Sequence, residues 1–390
     1  NLLRELYRMP GQQCQQLYHS WGIRIPDINC SYLTSAVGVV YGTSQKLAIR
    51  KEILQAVSEQ YGVSVSAVDS GIRRMIDQLE AKPDEGWTQF KAESGFEAET
   101  TGLWALKRIL APRKLNTNKG SFGYLLSLCG SRGMAGAAVM SAQAASRCGV
   151  GLIDLALPES VYPAAASAIR ESVFTLLPEQ ENEISISEAE ALLSGKLAHR
   201  TTACLVGCGL GTSREAQKLV EYLLARSKAP MVIDADGLNA IAAEPEMLSK
   251  AQAPLVLTPH PGEMARLLKT TVQDVQRHRL EYAKEFAVKQ RLVLVLKGNK
   301  TVVACPDGKV YINTTGNPGM AKAGSGDVLA GIIGAFLAQG MAPEQAAAGG
   351  VYLHGLAGDR CAERLSQIGM TAPDLIEELP ALFLELTATK

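Results

Sequence analysis

The sequence predicts an α/β protein, a three-layer α/β/α domain preceded by a small all-helical domain of helix-turn-helix outline. Three observations predict it. Short, almost wholly apolar runs alternate with helical runs from about residue 102 onward, the signature of a largely parallel sheet covered on both faces. Glycine-rich or charged loops follow most of those runs, all on one side of the expected sheet. The first 90 residues lack such runs and carry helical periodicity instead.

Residues 1–90 read as helices. EILQAVSEQYG places Ile53, Leu54, Val57 and Tyr61 at roughly helical spacing. After Gly62, VSVSAVDSGIRRMIDQLEA gives a second helix capped by Ser66, with Val68, Ile72, Met75, Ile76 and Leu79 on its apolar face. The polar stretch 91–101 reads as a linker, continuing the loose composition of residues 82–90. Residues 102–390 form the α/β domain. Its expected strands are GYLLSLCG (123–130), GVGLIDLALP (149–158), TTACLVGCG (201–209), KAPMVIDADG (228–237), AQAPLVLTPHPG (251–262) and RLVLVLKG (291–298). TVVACPDGKVYIN (301–313) reads as a hairpin with a type I′ turn at Asp307-Gly308.

Composition narrows the function classes. The 390 residues are 47% hydrophobic and 20% charged, enough to bury a sizeable core. Lys and Arg total 39 against 39 Asp and Glu, so no global field favours nucleic acid or an anionic membrane. No apolar run reaches the roughly 18–20 residues of a membrane span. The opening NLLRELYRMPGQQ lacks the apolar core of a signal peptide, and its lack of Met is consistent with processing or truncation upstream. Eight scattered cysteines read as buried free thiols, which implies a reducing, cytoplasmic compartment. Cys204 and Cys208 have metal-like spacing without a second ligand pair.

Ligands in open α/β sheets sit beyond the carboxyl ends of the strands. GSRGMAGAA (130–138), GCGLGTS (207–213), DADGLN (234–239), TPHPGE (258–263) and KGNKT (297–301) all fall there. GCGLG is not a dinucleotide fingerprint, because position 212 is Thr where the pattern needs Gly. Its glycines instead read as positions where backbone approaches a ligand closely. The last stretch, NTTGNPGMAKAGSGDVLAGIIGAFLAQG (313–340), sets a rigid turn at Asn317-Pro318-Gly319 and then exposes backbone N–H groups through Gly324, Ser325 and Gly326. An apolar helix starts at or just after Asp327, so the acid sits where a helix N-terminus attracts anions. Alone, that carboxylate should be held low; with a phosphate beside it, its pKa should rise. It could then accept a proton from a substrate hydroxyl while the N–H groups hold the transferring phosphoryl.

GSRGMAGAAVMSAQAASRCGVGLIDLALPES, VGCGLGTS, VIDADGLNAI, LTPHPGE, VLKGNKTVV, NTTGNPGMAKAGSGDVLAGIIGAFLAQG and VYLHGLAGD resemble, in order, the ADP/ATP-dependent NAD(P)H-hydrate dehydratases, and cover about three quarters of the chain. The resemblance implies a ribokinase-like fold, Mg2+, and ADP or ATP as co-substrate. It also implies dehydration of the S epimer of NADH or NADPH hydrate. By resemblance, Asp327 is the catalytic base. Ala137, Gly209, Gly211, His260 and Asp327 contact the hydrate. Lys297, Gly298, Asn299, Lys300, Thr301, Asn317, Gly324, Ser325 and Gly326 line the nucleotide site. Glu263 reads as a helix cap, and Asp234 and Asn239 as structural or positioning water on magnesium; no direct metal ligand is assigned. The resemblance further implies a homo-oligomer, commonly a tetramer. GSGD alone would equally suit a ribokinase-like small-molecule kinase. Two positions depart from the family pattern, Lys322 for a small hydroxyl residue and Ala323 for Gly. Lys322 is expected either to add charge near phosphate or to point into solvent. The first 100 residues do not resemble the epimerase domain that precedes many members.

GIRIPDINCSYLTSAVGVVY with LAIRKEILQAVSEQYGVSVSAVDSGIRRMIDQL resembles the DNA-binding effector domain of the sporulation regulator Spo-zero-A. That resemblance implies a recognition helix from Ser64 to Met75, with Ser66, Ser70, Arg73 and Arg74 as candidate base or phosphate contacts, and leaves a nucleotide-sensing DNA-binding regulator as an alternative. Charge argues against it: residues 1–93 carry 10 basic and 10 acidic side chains, and Asp69 lies within the proposed groove-facing segment. A packing, dimerisation or regulatory role is expected instead. Genomic-fragment selection at two salt concentrations should therefore yield no sequence-specific affinity tighter than about 1 μM. One enriched motif, lost in an Arg73→Ala, Arg74→Ala double variant, would contradict this.

Overall fold

The computed structural model describes residues 31–36, 53–81, 99–180 and 183–388. Two compact units are present, one formed by residues 1–97 with 102–104, the other by 98–101 with 105–390. In the first, helices α1 (Leu54–Tyr61) and α2 (Val65–Ala81) flank a turn in which Gly62 takes φ 65°. Ile53, Leu54, Val57, Val68, Ile72 and Met75 are buried, as their periodicity requires. Ser64, not Ser66, caps α2, because its Oγ accepts from the Ala67 N–H at 3.1 Å. Ser70 and Arg74 are exposed, Ser66 and Asp69 half-buried; the side chain of Arg73 and the connector through residue 98 lie outside the described residues.

The second unit holds a ten-stranded sheet. Its strands are β1 (Glu99–Thr100), β2 (Tyr124–Leu128), β3 (Leu152–Pro158), β4 (Val173–Leu177), β7 (Ala203–Val206), β8 (Met231–Ile233), β9 (Leu255–Leu257), β10 (Val293–Leu296), β11 (Val302–Ala304) and β12 (Val310–Ile312). They lie in the order β1-β12-β11-β10-β9-β8-β7-β2-β3-β4. Strands β5 (Glu179–Gln180) and β6 (Glu183–Ile184) form a separate antiparallel pair. Only β11 runs against its neighbours in the large sheet. The six apolar runs are β2, β3, β7, β8, β9 and β10; periodicity missed β4, whose residues alternate in burial. The end of the polar connector is also ordered, since Glu99 and Thr100 pair with Tyr311 and Ile312.

The β11–β12 turn differs from expectation. Gly308 donates to the Cys305 carbonyl at 3.0 Å and takes φ 87°, but Asp307 is not in the left-handed region. Pro306 fixes the first central residue at negative φ, which excludes type I′ and leaves a type I turn closed by a left-handed glycine.

Residues of alternate parity along the strands face opposite layers. Leu126, Leu128, Val206, Ile233, Leu257 and Leu296 pack with α5 (Ile186–His199), α6 (Arg214–Arg226), α7 (Asp236–Ala243), α8 (Pro261–Leu268), α9 (Val272–Arg277) and α10 (Arg279–Gln290). On the other face lie α3 (Ala135–Arg147), α4 (Tyr162–Ala168), α11 (Ser325–Ala338), α12 (Pro343–Gly369) and α13 (Ala372–Ala388). Helix α11 is wholly buried beyond its first turn, and a Cβ at Gly331 would stand 2.1 Å from the Ser141 carbonyl of α3. That contact lets α11 lie against both the sheet and α3, aiming its N-terminus at the strand ends. Among the described residues no helix is long and apolar enough to cross a membrane. Cys129, Cys148, Cys204, Cys208, Cys305 and Cys361 are free and buried; Cys14 and Cys30 lie outside the described residues.

Candidate active site

Helix α11 begins at Ser325, two residues earlier than its apolar pattern indicates. Gly324 caps it at φ 90°, and a Cβ there would strike Met140 at 2.5 Å and Ala372 at 2.9 Å. Asp327 is therefore in the first helical turn, with the unpaired N–H groups of a helix start beside it. The buried Ser325 places its Oγ 3.3 Å from Nε2 of His354, whose burial pulls its pKa down to about 4 and keeps it neutral.

The strand ends supply the opposite wall. Lys297, just after β10, donates to Asp234 Oδ1 at 2.5 Å and lies 3.9 Å from Glu263 Oε2. Burial disfavours its charge, but Asp234 and Glu263 outweigh that and raise its pKa. Lys297 is thus neither solvated nor unpaired. This wall stands close to α11: a Cβ at Gly326 would be in ordinary contact, 3.4 Å from Lys297 Nζ and 3.6 Å from Asp234 Oδ2. Ala235, between Asp234 and Asp236, is held at φ 47°, a strained conformation for a residue with a side chain.

Asp327 departs from the expectation of a depressed pKa in the free protein. Burial first, then the charge of Asp234, push it up to about 6, while Cys208 and Lys297 pull the other way. Desolvation and a like charge outweigh the helix terminus. Glu263 is raised to about 7, again mainly by burial.

His260 occupies the N-cap of α8. Its Nδ1 accepts from the N–H groups of Gly262 at 2.9 Å and Glu263 at 3.3 Å, and Glu263 returns a bond to the His260 N–H at 2.7 Å. This reciprocal capping box confirms Glu263 as a cap. Burial and the nearby Lys297 lower the His260 pKa, which favours the neutral form that Nδ1 needs as acceptor, and Nε2 lies 3.3 Å from Glu263 Oε1.

The small residues divide into different tasks. Gly209 packs on Ala137, where a Cβ would come within 2.9 Å, so these two lie together. Gly207 instead approaches protein backbone, with a Cβ 2.1 Å from the Asp234 carbonyl. Gly211 lies beside Ser131, where a Cβ would stand 3.6 Å from the hydroxyl oxygen, and donates its N–H to Asp236 Oδ2 at 2.9 Å. Asn239 links Asp236 to Arg266, which makes it a scaffold residue. Gly298, Asn299 and Lys300 are exposed at the end of β10, and Thr301 folds back onto the Gly298 carbonyl at 2.9 Å.

Loop 316–324 rests on α12. Asn317 accepts from Gly319 N–H at 3.0 Å and donates to Asp359 at 3.2 Å, while Asp359 also accepts from Gly316 N–H at 2.9 Å. Sequence reasoning assigned neither Asp359 nor His354, although VYLHGLAGD carries both; their acid and imidazole, each one turn from a glycine that lets the loop approach, were the available signal. Lys322 is exposed, yet its ammonium is engaged by the protein. Its ammonium donates to the carbonyls of Ile368, at 2.6 Å, and Met370, fixing the loop to the end of α12. That end is kinked at Ser366, where φ is 65°.

Donor atoms of Cys208, Asp234 and Asp327 lie within 4.8 Å of one another. They do not fit a protein-bound magnesium ion: a thiol is a poor ligand for a hard cation, and Asp234 is already engaged by Lys297.

Residues 125–381 match the profile of the NAD(P)H-hydrate dehydratases. The chain belongs to the NAD(P)H-hydrate dehydratase family. It is 45% identical over 280 residues to a bifunctional NAD(P)H-hydrate repair enzyme of Moorella thermoacetica, covering 72% of this chain and 52% of that protein. The chain thus spans about half the length of the first such relatives. An ADP-dependent (S)-NAD(P)H-hydrate dehydratase of Neisseria meningitidis is 41% identical over 254 residues, 64% of this chain and 81% of the relative. The crystal structure of the ADP/ATP-dependent NAD(P)H-hydrate dehydratase of Bacillus subtilis, co-crystallised with ATP/Mg2+, superposes with a TM-score of 0.64 at 29% identity, covering 75% of this chain and 99% of that one. The fold is a ribokinase-like α/β domain preceded by a smaller, mostly helical region, and the family match leaves that region outside its bounds.

If Asp327 is a base, kcat/KM should rise with pH through about 6 and then level. Asp327→Asn should lower kcat by about 10²–10⁴ while nucleotide still binds. The sign of the stability effect follows from the raised pKa: the native state tolerates the neutral acid better than the anion. The variant's gain in Tm should therefore be small near pH 4 and grow as pH rises through 6. Near-normal kcat, or a gain that shrinks with rising pH, would remove Asp327 from this role.

Proposed function

We propose that this chain dehydrates the S epimer of NADH or NADPH hydrate, using ADP or ATP with magnesium. The observation that carries the reading is the placement of Asp327 in the first turn of α11, facing Lys297 and Asp234 across Gly326. Kinship to ADP-dependent (S)-NAD(P)H-hydrate dehydratases supplies the substrate.

The chemistry follows from the leaving group. Hydroxide leaves a reduced nicotinamide ring poorly, and phosphate leaves well. The Asp327 carboxylate takes the proton of the C6 hydroxyl as its oxygen attacks the terminal phosphorus of the nucleotide. The bond to the next phosphate breaks, giving AMP from ADP or ADP from ATP. The N–H groups of Gly324, Ser325 and Gly326 hold the transferring phosphoryl. The ring-nitrogen electrons then expel phosphate from C6, a proton leaves C5, and the dihydropyridine is restored. Lys297 is proposed to face the nucleotide phosphates, with Gly298, Asn299, Lys300, Thr301 and Asn317 shaping their pocket. Ala137 and Gly209 leave room for the hydrate, with Gly211 beside them, and the half-exposed His260 ring, its Nε2 3.3 Å from Glu263 Oε1, is proposed to flank it. Magnesium would travel on the nucleotide phosphates and partly neutralise their charge.

The helical region is assigned a packing or regulatory role rather than DNA reading, given its balanced charge. Assembly into a tetramer belongs to the same reading, and light scattering on the full chain tests it. A cytoplasmic setting is supported by the buried free thiols.

The deciding assay mixes the chain with each hydrate, magnesium, and ADP or ATP. Absorbance of the dihydronicotinamide band should recover with at least one nucleotide, and recovery with neither would overturn the reading.

A further inference from the structure

Arg279 opens α10 and is half-buried against the end of β10. Its guanidinium forks over two successive carbonyls there, Nη2 donating to Leu296 at 3.0 Å and Nη1 to Lys297 at 3.3 Å. Nη1 also donates to Gln276 Oε1 of α9 at 3.3 Å. Gly298 allows the approach: it takes φ 137°, and a Cβ there would stand 3.0 Å from Nη1 and 3.3 Å from Nη2. No role given so far uses this side chain.

We infer that Arg279 is a positioning residue of the nucleotide site, pinning the end of β10 and the loop 298–300 in place for a phosphate and leaving its own charge to be neutralised by that phosphate. The inference rests on the reading of residues 297–301 as the nucleotide loop.

Three facts support it. The acceptors of the guanidinium are two carbonyls and an amide, all uncharged. Among the described residues no carboxylate offsets the burial that disfavours its charge, whereas the neighbouring Lys297 is held between Asp234 and Glu263. Cations drawn out of water are normally paired, so Arg279 is suited to a counter-ion that arrives from outside. The loop itself offers donors. Among the described residues the N–H groups of Gly298, Asn299 and Lys300 make no hydrogen bond within the protein, and Lys300 is turned to φ 55°. Successive free N–H groups against a fixed cation favour an anion.

The test uses the full chain with Arg279→Gln, Arg279→Lys, and Arg277→Gln as a control. Arg277 is exposed and makes no hydrogen bond or ion pair through its side chain among the described residues. Calorimetry with ADP and with ATP, each with magnesium and without hydrate, reads nucleotide affinity apart from turnover, and melting curves confirm that each variant is folded. Kd should rise by about 10–100-fold in Arg279→Gln, the worth of a charged hydrogen bond to a ligand site. It should rise less, by about 3–10-fold, in Arg279→Lys, which keeps the charge and loses the fork. Arg277→Gln should bind as wild type does. In turnover, nucleotide KM should follow Kd while hydrate KM and kcat stay within about twofold. A purely structural role would lower Tm and leave Kd unmoved, and that result overturns the inference. So does an equal rise in Arg277→Gln, or a rise shared by hydrate KM. Where Arg279→Gln does not fold, an unmoved Kd in Arg279→Lys overturns it. Wild-type protein that binds neither nucleotide would overturn the nucleotide reading and the inference with it. Affinity lost at Arg279 in a chain that turns over no hydrate would keep the inference and overturn the dehydratase reading instead.

Discussion

A single buried cation organises the ends of the strands. Lys297 is held between Asp234 and Glu263 under the first turn of α11, with little access to water. Charges so placed are tolerable only when paired, and removing one partner of a buried pair commonly costs about 3–5 kcal/mol. The pair joins the end of β8 to the end of β10, across β9. Its effect extends to each acid nearby: Lys297 restrains the rise of Asp327 and Glu263 and depresses His260. Asp327 is left partly desolvated with a pKa about 6, where a carboxyl can take up a proton near neutral pH and give it back.

The opposite wall depends on missing side chains. Gly324 and Gly331 each occupy a place where a Cβ would strike neighbouring atoms. On α12, Gly355 and Gly358 do the same for the loop below, since a Cβ would lie 2.0 Å from Thr315 Oγ1 and 2.2 Å from Met320 Sδ. Loop 316–324 is therefore seated on a helix face rather than suspended. Asp359 and Lys322 fasten it at both ends, one by accepting from the Gly316 N–H and the Asn317 side-chain amide, the other by donating to carbonyls.

Much of this was legible in the sequence, for identifiable reasons. Strands buried on both faces are continuous apolar runs, so β2, β3, β7, β8, β9 and β10 announced themselves. Edge strand β4 is half exposed and β1 only two residues long, and neither leaves such a trace. Asp327 was legible because a lone acid between glycines and an apolar helix has few other uses. Its pKa was not, because the sequence does not say that Asp234, nearly a hundred residues earlier, stands against it. The carbonyl partners of Lys322 were not legible for a related reason: Ile368 and Met370 lie at the kinked end of α12, far along the chain. His260 combined both limits. Its flanking prolines marked it, yet only the folded N-cap shows which ring nitrogen is engaged.

The central claim is that a kinase-like site removes water by first making it part of a phosphate ester. The hydroxyl oxygen then leaves on phosphorus. Hydrate carrying ¹⁸O at C6 separates this from direct loss of hydroxide, through mass analysis of the inorganic phosphate after one turnover. The account predicts one ¹⁸O atom in each phosphate released. Label found in water, with unlabelled phosphate, would contradict it.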